Sequence, residues 1–135
     1  MINRLRWLAL AALACWMPAG MAEESSAEVR YVELQPTFIT NFGEPGTGRP
    51  KYLKTEVSVR VGSLAGETAA RYHLPALRNS LVLLLSRQDE AAVSSSSGRE
   101  VLRVEALAEI RSILEAEEGE AFVEDLMFTN FIVQP

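Results

Sequence analysis

Cysteine and histidine are nearly absent from this 135-residue chain, with one of each, Cys15 and His73. A zinc centre needs three or four convergent ligands, so one histidine without a partner cysteine excludes the usual zinc arrangements. Cys15 falls inside an N-terminal apolar run, and a cut after Ala22 would leave a chain without thiol or disulfide chemistry. No G-x-S-x-G is present, and the one cluster of consecutive serines longer than two, Ser94–Ser97, reads as a loop rather than a nucleophile and its base. The glycines of Gly43–Pro50 lack a following Gly-Lys-Ser/Thr and lead into a strand, whereas phosphate cradles lead into a helix N-terminus. Basic residues are also scarce. With Arg4 and Arg6 removed, eleven cations face eighteen acids, a formal charge of −7 that disfavours non-specific nucleic-acid binding.

What is present begins with an export signal. Arg4 and Arg6 precede an uncharged apolar run, which Pro18, Ala19 and Gly20 interrupt, and Gly20 and Ala22 supply the small residues before a cut at Ala22–Glu23. From Trp7 to Met21 the run covers roughly 22 Å as a helix, short of the ~30 Å hydrocarbon core. Residues 1–22 are therefore expected to be a signal peptide, or failing cleavage a short membrane anchor. Ala12-Leu13-Ala14-Cys15 also has the outline of a lipoprotein box, with lipidation of Cys15 as the alternative. Residues 23–28 read as a polar tether and 29–135 as one small domain with a single core.

Within that domain the period of apolar residues changes from two to 3.6 and back. Val29–Leu34 and Thr37–Phe42 are expected strands parted by a bend at Pro36. Turn formers at Gly43–Pro50 make a long hairpin loop, and Val57, Val59 and Val61 alternate in the strand Tyr52–Val61. A short helix is expected at Glu67–Tyr72 and a mostly buried one at Leu74–Gln88, opened by Pro75, with Val82 and Leu83 widening its apolar stripe. The exposed side of the second would carry Arg78, Asn79 and Arg87. Ser97 is expected to cap a helix over about Arg99–Glu117, with Leu107, Ile110 and Leu114 inside and Gly119 as its stop. The last segment, Ala121–Gln134, is apolar on both alternating faces, which suits a strand inside a sheet or under a helix: Val123, Met127, Phe131 and Val133 on one, Phe122, Leu126, Phe128 and Ile132 on the other. The fold class is α+β, a hairpin and a C-terminal strand forming a sheet packed by two main helices. His73 reads as a half-buried junction residue. The carboxylate pairs Glu117-Glu118 and Glu124-Asp125 read as solvated or arginine-paired, so the chain is not expected to be an enzyme or to hold a cofactor.

Several segments in this order resemble the periplasmic domain of the flagellar basal-body-associated FliL family, over about Tyr31 to Gln134. They are Tyr31-Val32-Glu33-Leu34 with Phe38 and Asn41, the run Arg49–Val61, Leu74–Asn79 leading into Leu81–Ser86, Gly98-Arg99-Glu100, and Val123–Gln134. The resemblance implies a domain similar to the stomatin/SPFH fold on a single-span inner-membrane protein, without catalysis. It further implies rings around flagellar stator units that support torque, swimming, swarming and chemotaxis. The N-terminus departs from that pattern, since its apolar run is short for a tether. Partner contacts are expected at Arg49 and Lys51 by the hairpin loop and at Arg78 and Arg87 on the helix, with Gly43–Pro50 and Glu90–Gly98 as mobile contact loops. A structural envelope protein sharing the fold without a motor role is the alternative.

Overall fold

The computed structural model describes residues 28–46 and 48–134. The expected export signal, Cys15 and all but the last residue of the expected tether lie outside the described residues. In chain order the elements are β1 (Arg30–Glu33), β2 (Phe38–Phe42), β3 (Lys51–Val61), α1 (Leu64–Tyr72), α2 (Leu74–Ser86), α3 (Glu90–Ser94), α4 (Ser96–Glu118) and β4 (Val123–Gln134).

The alternation of β3 organises the rest. Leu53, Thr55, Val57, Val59 and Val61 are all buried, and the residues between them point the other way. Every pairing is antiparallel and every strand pairs with β3. β4 takes one edge, from Tyr52↔Gln134 to Val61↔Val123. On the other edge β1 pairs with Ser58–Val61 and β2 with Lys51–Thr55, so the two follow each other like one interrupted strand. The interruption is the expected bend: Leu34 N–H still donates to Val57 O at 2.9 Å, but Pro36 has no N–H to continue the ladder.

β4 therefore lies on the edge of the sheet, under α4, rather than inside it. Its strict two-faced alternation is also corrected, because two register shifts break the period. Val123, Leu126, Phe128, Phe131 and Val133 all pack on the core side, while Met127 and Ile132 share the other face. At the second shift Asn130 takes φ 51°, a left-handed conformation that asparagine tolerates, and its side chain donates to Glu56 Oε2 at 2.9 Å. Opposite, the buried Thr55 hydroxyl donates to Thr129 O at 3.2 Å, which satisfies a polar group inside the core.

The helices cover the inner face only. Ser63 caps α1 through Gly66 N–H at 3.0 Å, and Pro75 stands in the first turn of α2, where its missing N–H costs nothing. Leu77, Leu81, Leu84 and Leu85 of α2 are buried, but Val82 and Leu83 face outward instead of widening the stripe. The inner stripe of α4 is Leu102, Ala106, Ile110 and Leu114, with Leu107 half-buried at its margin. Gly119 ends α4 at φ 78°, the left-handed stop that glycine adopts without penalty.

The serine tract is the largest correction. Ser95, not Ser97, caps α4, accepting from Gly98 N–H at 2.9 Å, and Ser96–Gly98 are already helical. Asp89 caps α3 in the same way through Ala92 N–H at 2.8 Å. Glu90–Gly98 is thus two capped helix segments rather than a mobile loop. Gly98 permits their contact: a Cβ there would stand 2.6 Å from Ala92 O and 2.7 Å from Ala91 O.

Candidate interaction surface

The four cations expected to meet a partner have four different surroundings. Arg78 is half-buried and structural: its guanidinium lies 4.1 Å from the centre of the Phe38 ring and donates to Leu34 O and Pro36 O at 2.5 Å each. Burial pushes its pKa down, while the carbonyl oxygens at the β1–β2 bend accept from the guanidinium and fix its position. Its place on an exposed contact face is therefore corrected. Lys51 pairs with Glu90 of α3, and Arg87, just past α2, lies 3.8 Å from Glu109 of α4. Arg49 is exposed beside a cleft of about 380 Å³, which Asn41, Phe42, Lys51 and Ser86 also line.

Other charged residues hold the layers together. Arg103 of α4 binds Glu100 at 2.6 Å and Asp125 of β4 at 2.5 Å, and reaches Leu126 O at 3.4 Å. The hydrogen bonds to Glu100 raise the pKa of Arg103, while the guanidinium holds the Glu100 carboxyl below its ordinary range. Arg111, two turns further on, donates to Val123 O. Across the sheet Arg30 of β1 bonds Glu67 of α1 at 2.9 Å, and Glu67 also accepts from Arg71 at 3.1 Å, so its carboxyl too is held low. The visible signal was the Glu100–Arg103 spacing, which puts opposite charges on one helix face. Nothing in the spacing of Arg30 and Glu67 announces their meeting.

His73 is the junction residue that was expected. Its side chain is 12% exposed, its Nε2 lies 2.7 Å from Glu118 Oε1, and Tyr72 packs against it edge-on at 4.9 Å. The carboxylate pairs divide similarly. Glu118 meets His73, Glu124 lies 3.3 Å from Arg60 and Asp125 meets Arg103. Among the described residues no group of three or more His, Cys, Asp or Glu is arranged to hold a metal ion. No helix among them is long and apolar enough to cross a membrane.

The features left exposed are apolar surface and uncommitted charge. On the bare outer face of the sheet, Ile39 is 67% exposed, Ile132 47% and Tyr52 42%. Their cross-strand order is direct: Lys54 of β3 pairs with Ile39 on one side and Ile132 on the other, and Tyr52 pairs with Asn41 and Gln134. Val101 and Val104 stand exposed on the outer side of α4. These are surfaces suited to protein contact, offered by a rigid frame.

The model of the flagellar basal body-associated protein FliL matches residues 31–134, from the second residue of β1 to the last of β4. The flagellar protein FliL of Escherichia coli strain K12 is 27% identical over 131 residues, covering 93% of this chain and 82% of its own length. That of Aquifex aeolicus is 26% identical over 102 residues, covering 76% of this chain and 60% of its own. The matched span contains the whole sheet except Arg30 and all four described helices, and on that ground the chain belongs to the FliL family of flagellar basal-body-associated proteins.

Proposed function

We propose that the chain is a non-catalytic accessory protein of the flagellar motor, positioned at the basal body on the periplasmic side of the inner membrane. It associates there with stator units as a homo-oligomeric ring and supports torque, swimming and swarming. The observation that carries this reading is the unbroken family match over residues 31–134. The charged pairs add to it. His73–Glu118, Arg103–Asp125 and Arg30–Glu67 each tie one element to another, as a rigid scaffold requires. A similarity to the stomatin/SPFH domain fits the same reading, as a frame that presents surfaces rather than encloses a substrate.

Deleting the gene tests this function. Slower swimming or smaller swarms, most marked in viscous medium, are expected, with recovery on complementation. Unchanged motility at every load would refute the assignment. Co-purification of stator proteins with the tagged chain is the expected positive result.

A further inference from the structure

The gap between β1 and β2 leaves a notch in the bare face of the sheet. β1 pairs with Ser58–Val61 and β2 with Lys51–Thr55, so Glu56 has no cross-strand partner on that side. A cavity of about 70 Å³ opens where the missing rung would lie. Its polar lining is Glu33, Gln35, Thr37, Glu56, Ser58 and Thr129, and no lysine, arginine or histidine is among the lining residues.

Unpaired carboxylates occur elsewhere on this acidic chain, but Glu33 and Glu56 share one cavity. Gln35 Nε2 donates to Glu33 Oε2 at 2.6 Å, and Asn130 Nδ2 donates to Glu56 Oε2 at 2.9 Å. These amides position the carboxylates without neutralising them, and the two Oε1 atoms accept no hydrogen bond among the described residues. Lys54 and Arg60, the cations on the same face of β3, make no ion pair with either, and Arg60 is held by Glu124 at 3.3 Å. Two like charges facing one small space favour a cation between them. At ~30 Å³ per water the notch has room for about two, which suits an ammonium group and its last methylene.

Apolar surface continues from the notch. A shallow depression of about 680 Å³ shares Glu33 and Ser58 with it and adds Tyr31, Leu74 and Met127, of which Tyr31 is 57% exposed. The cation in that lining, Arg71, is bound to Glu67 at 3.1 Å.

We propose that the notch and depression dock a segment of a partner protein that carries a lysine beside an apolar residue. The ammonium enters between Glu33 and Glu56, and the apolar side chain lies over Met127 and Tyr31. An ammonium has three donors, enough for both free Oε1 atoms and one hydroxyl of Thr37, Ser58 or Thr129. Complementary charge sets where the segment sits, and the apolar contact holds it there. The contact deepens the motor function proposed above and rests on it, by stating the chemistry that the partner brings.

Titration of the nitrogen-15-labelled full chain with the end-blocked peptide Ala-Leu-Lys-Leu-Ala tests the contact. Amide shifts are expected to cluster at Glu33, Ser58, Met127 and Thr129, and about 0.5 M salt to weaken binding at least threefold. Glu33→Gln with Glu56→Gln is expected to weaken binding at least tenfold at unchanged helicity by circular dichroism, and so is glutamate in place of the peptide's lysine. Lys54→Ala, outside the notch, should bind at least as well as wild type. If the double variant does not fold, Glu56→Gln alone, with an expected loss of at least threefold, decides in its place. No binding, shifts that fall elsewhere, equal binding of the glutamate peptide, or undiminished binding by the folded variant would each overturn the contact. Motility separates the two proposals. A double variant that has lost the peptide yet restores full swimming to the deletion strain refutes this contact alone, whereas peptide binding as described with a deletion that leaves motility intact refutes the flagellar role.

Discussion

The two faces of β3 are made from alternate residues of one strand and have opposite fates. Leu53, Thr55, Val57, Val59 and Val61 disappear beneath the helices, while Tyr52, Lys54, Glu56, Ser58 and Arg60 look out from an uncovered sheet. A strand places successive side chains on opposite sides at no energetic cost, so one segment can build the core and present an interaction surface together. The covered side should accordingly govern stability, and the bare side association.

The largest effect is expected from the covered side. Leu81→Ala removes a fully buried side chain of α2 and should cost about 2–5 kcal/mol, measured by urea unfolding. A loss below about 1 kcal/mol would mean that the helix layer packs loosely over the sheet. Gly98→Val comes next, at about 1–3 kcal/mol, because α3 and α4 must separate to admit the side chain. A neutral outcome would break the assigned helix–helix contact.

A milder change should come from acid. Glu67 and Glu100 are held by Arg30 and Arg103 below the ordinary value of 4.5. Their contribution is complete above that value and is lost as pH falls through their depressed values. The thermal midpoint should therefore decline below about pH 4.5, and Arg103→Gln should flatten the decline; an identical profile in that variant would remove the pair from the account. The smallest effect belongs to the bare face. Lys54→Ala should leave stability within about 0.5 kcal/mol, and a larger loss would show that the outer face is also structural.

Much of this frame was legible because short-range periodicity carries it. The hairpin, the leucine stripe of α2 and the Gly119 stop follow from local rules that survive folding. Four consecutive serines offer a local rule four equivalent caps, whereas in the folded chain Ser95 is the cap and Gly98 packs closely on Ala91 and Ala92, a contact the serine run does not encode. The facing of residues along β4, unlike its being a strand, was hidden for a different reason. Alternation is informative only while the register is constant, and the two shifts opposite β3 reverse it twice. Among the expected contact residues Arg78 resembled any exposed helical arginine, and its burial depends on carbonyls freed more than forty positions earlier at the Pro36 bend. Arg49 remained exposed and Lys51 and Arg87 found acidic neighbours, distinctions that sequence spacing does not contain.

The arginines on α4 have one more effect. An edge strand of twelve residues is a template on which a neighbouring extended chain can add itself without selectivity. Here Arg103 and Arg111 already occupy the carbonyls of Leu126 and Val123, and the bulges twist the strand away from a flat partner. Indiscriminate cross-chain ladder growth is thereby discouraged, and a crowded population of these molecules is biased toward meeting through side chains that can tell one neighbour from another.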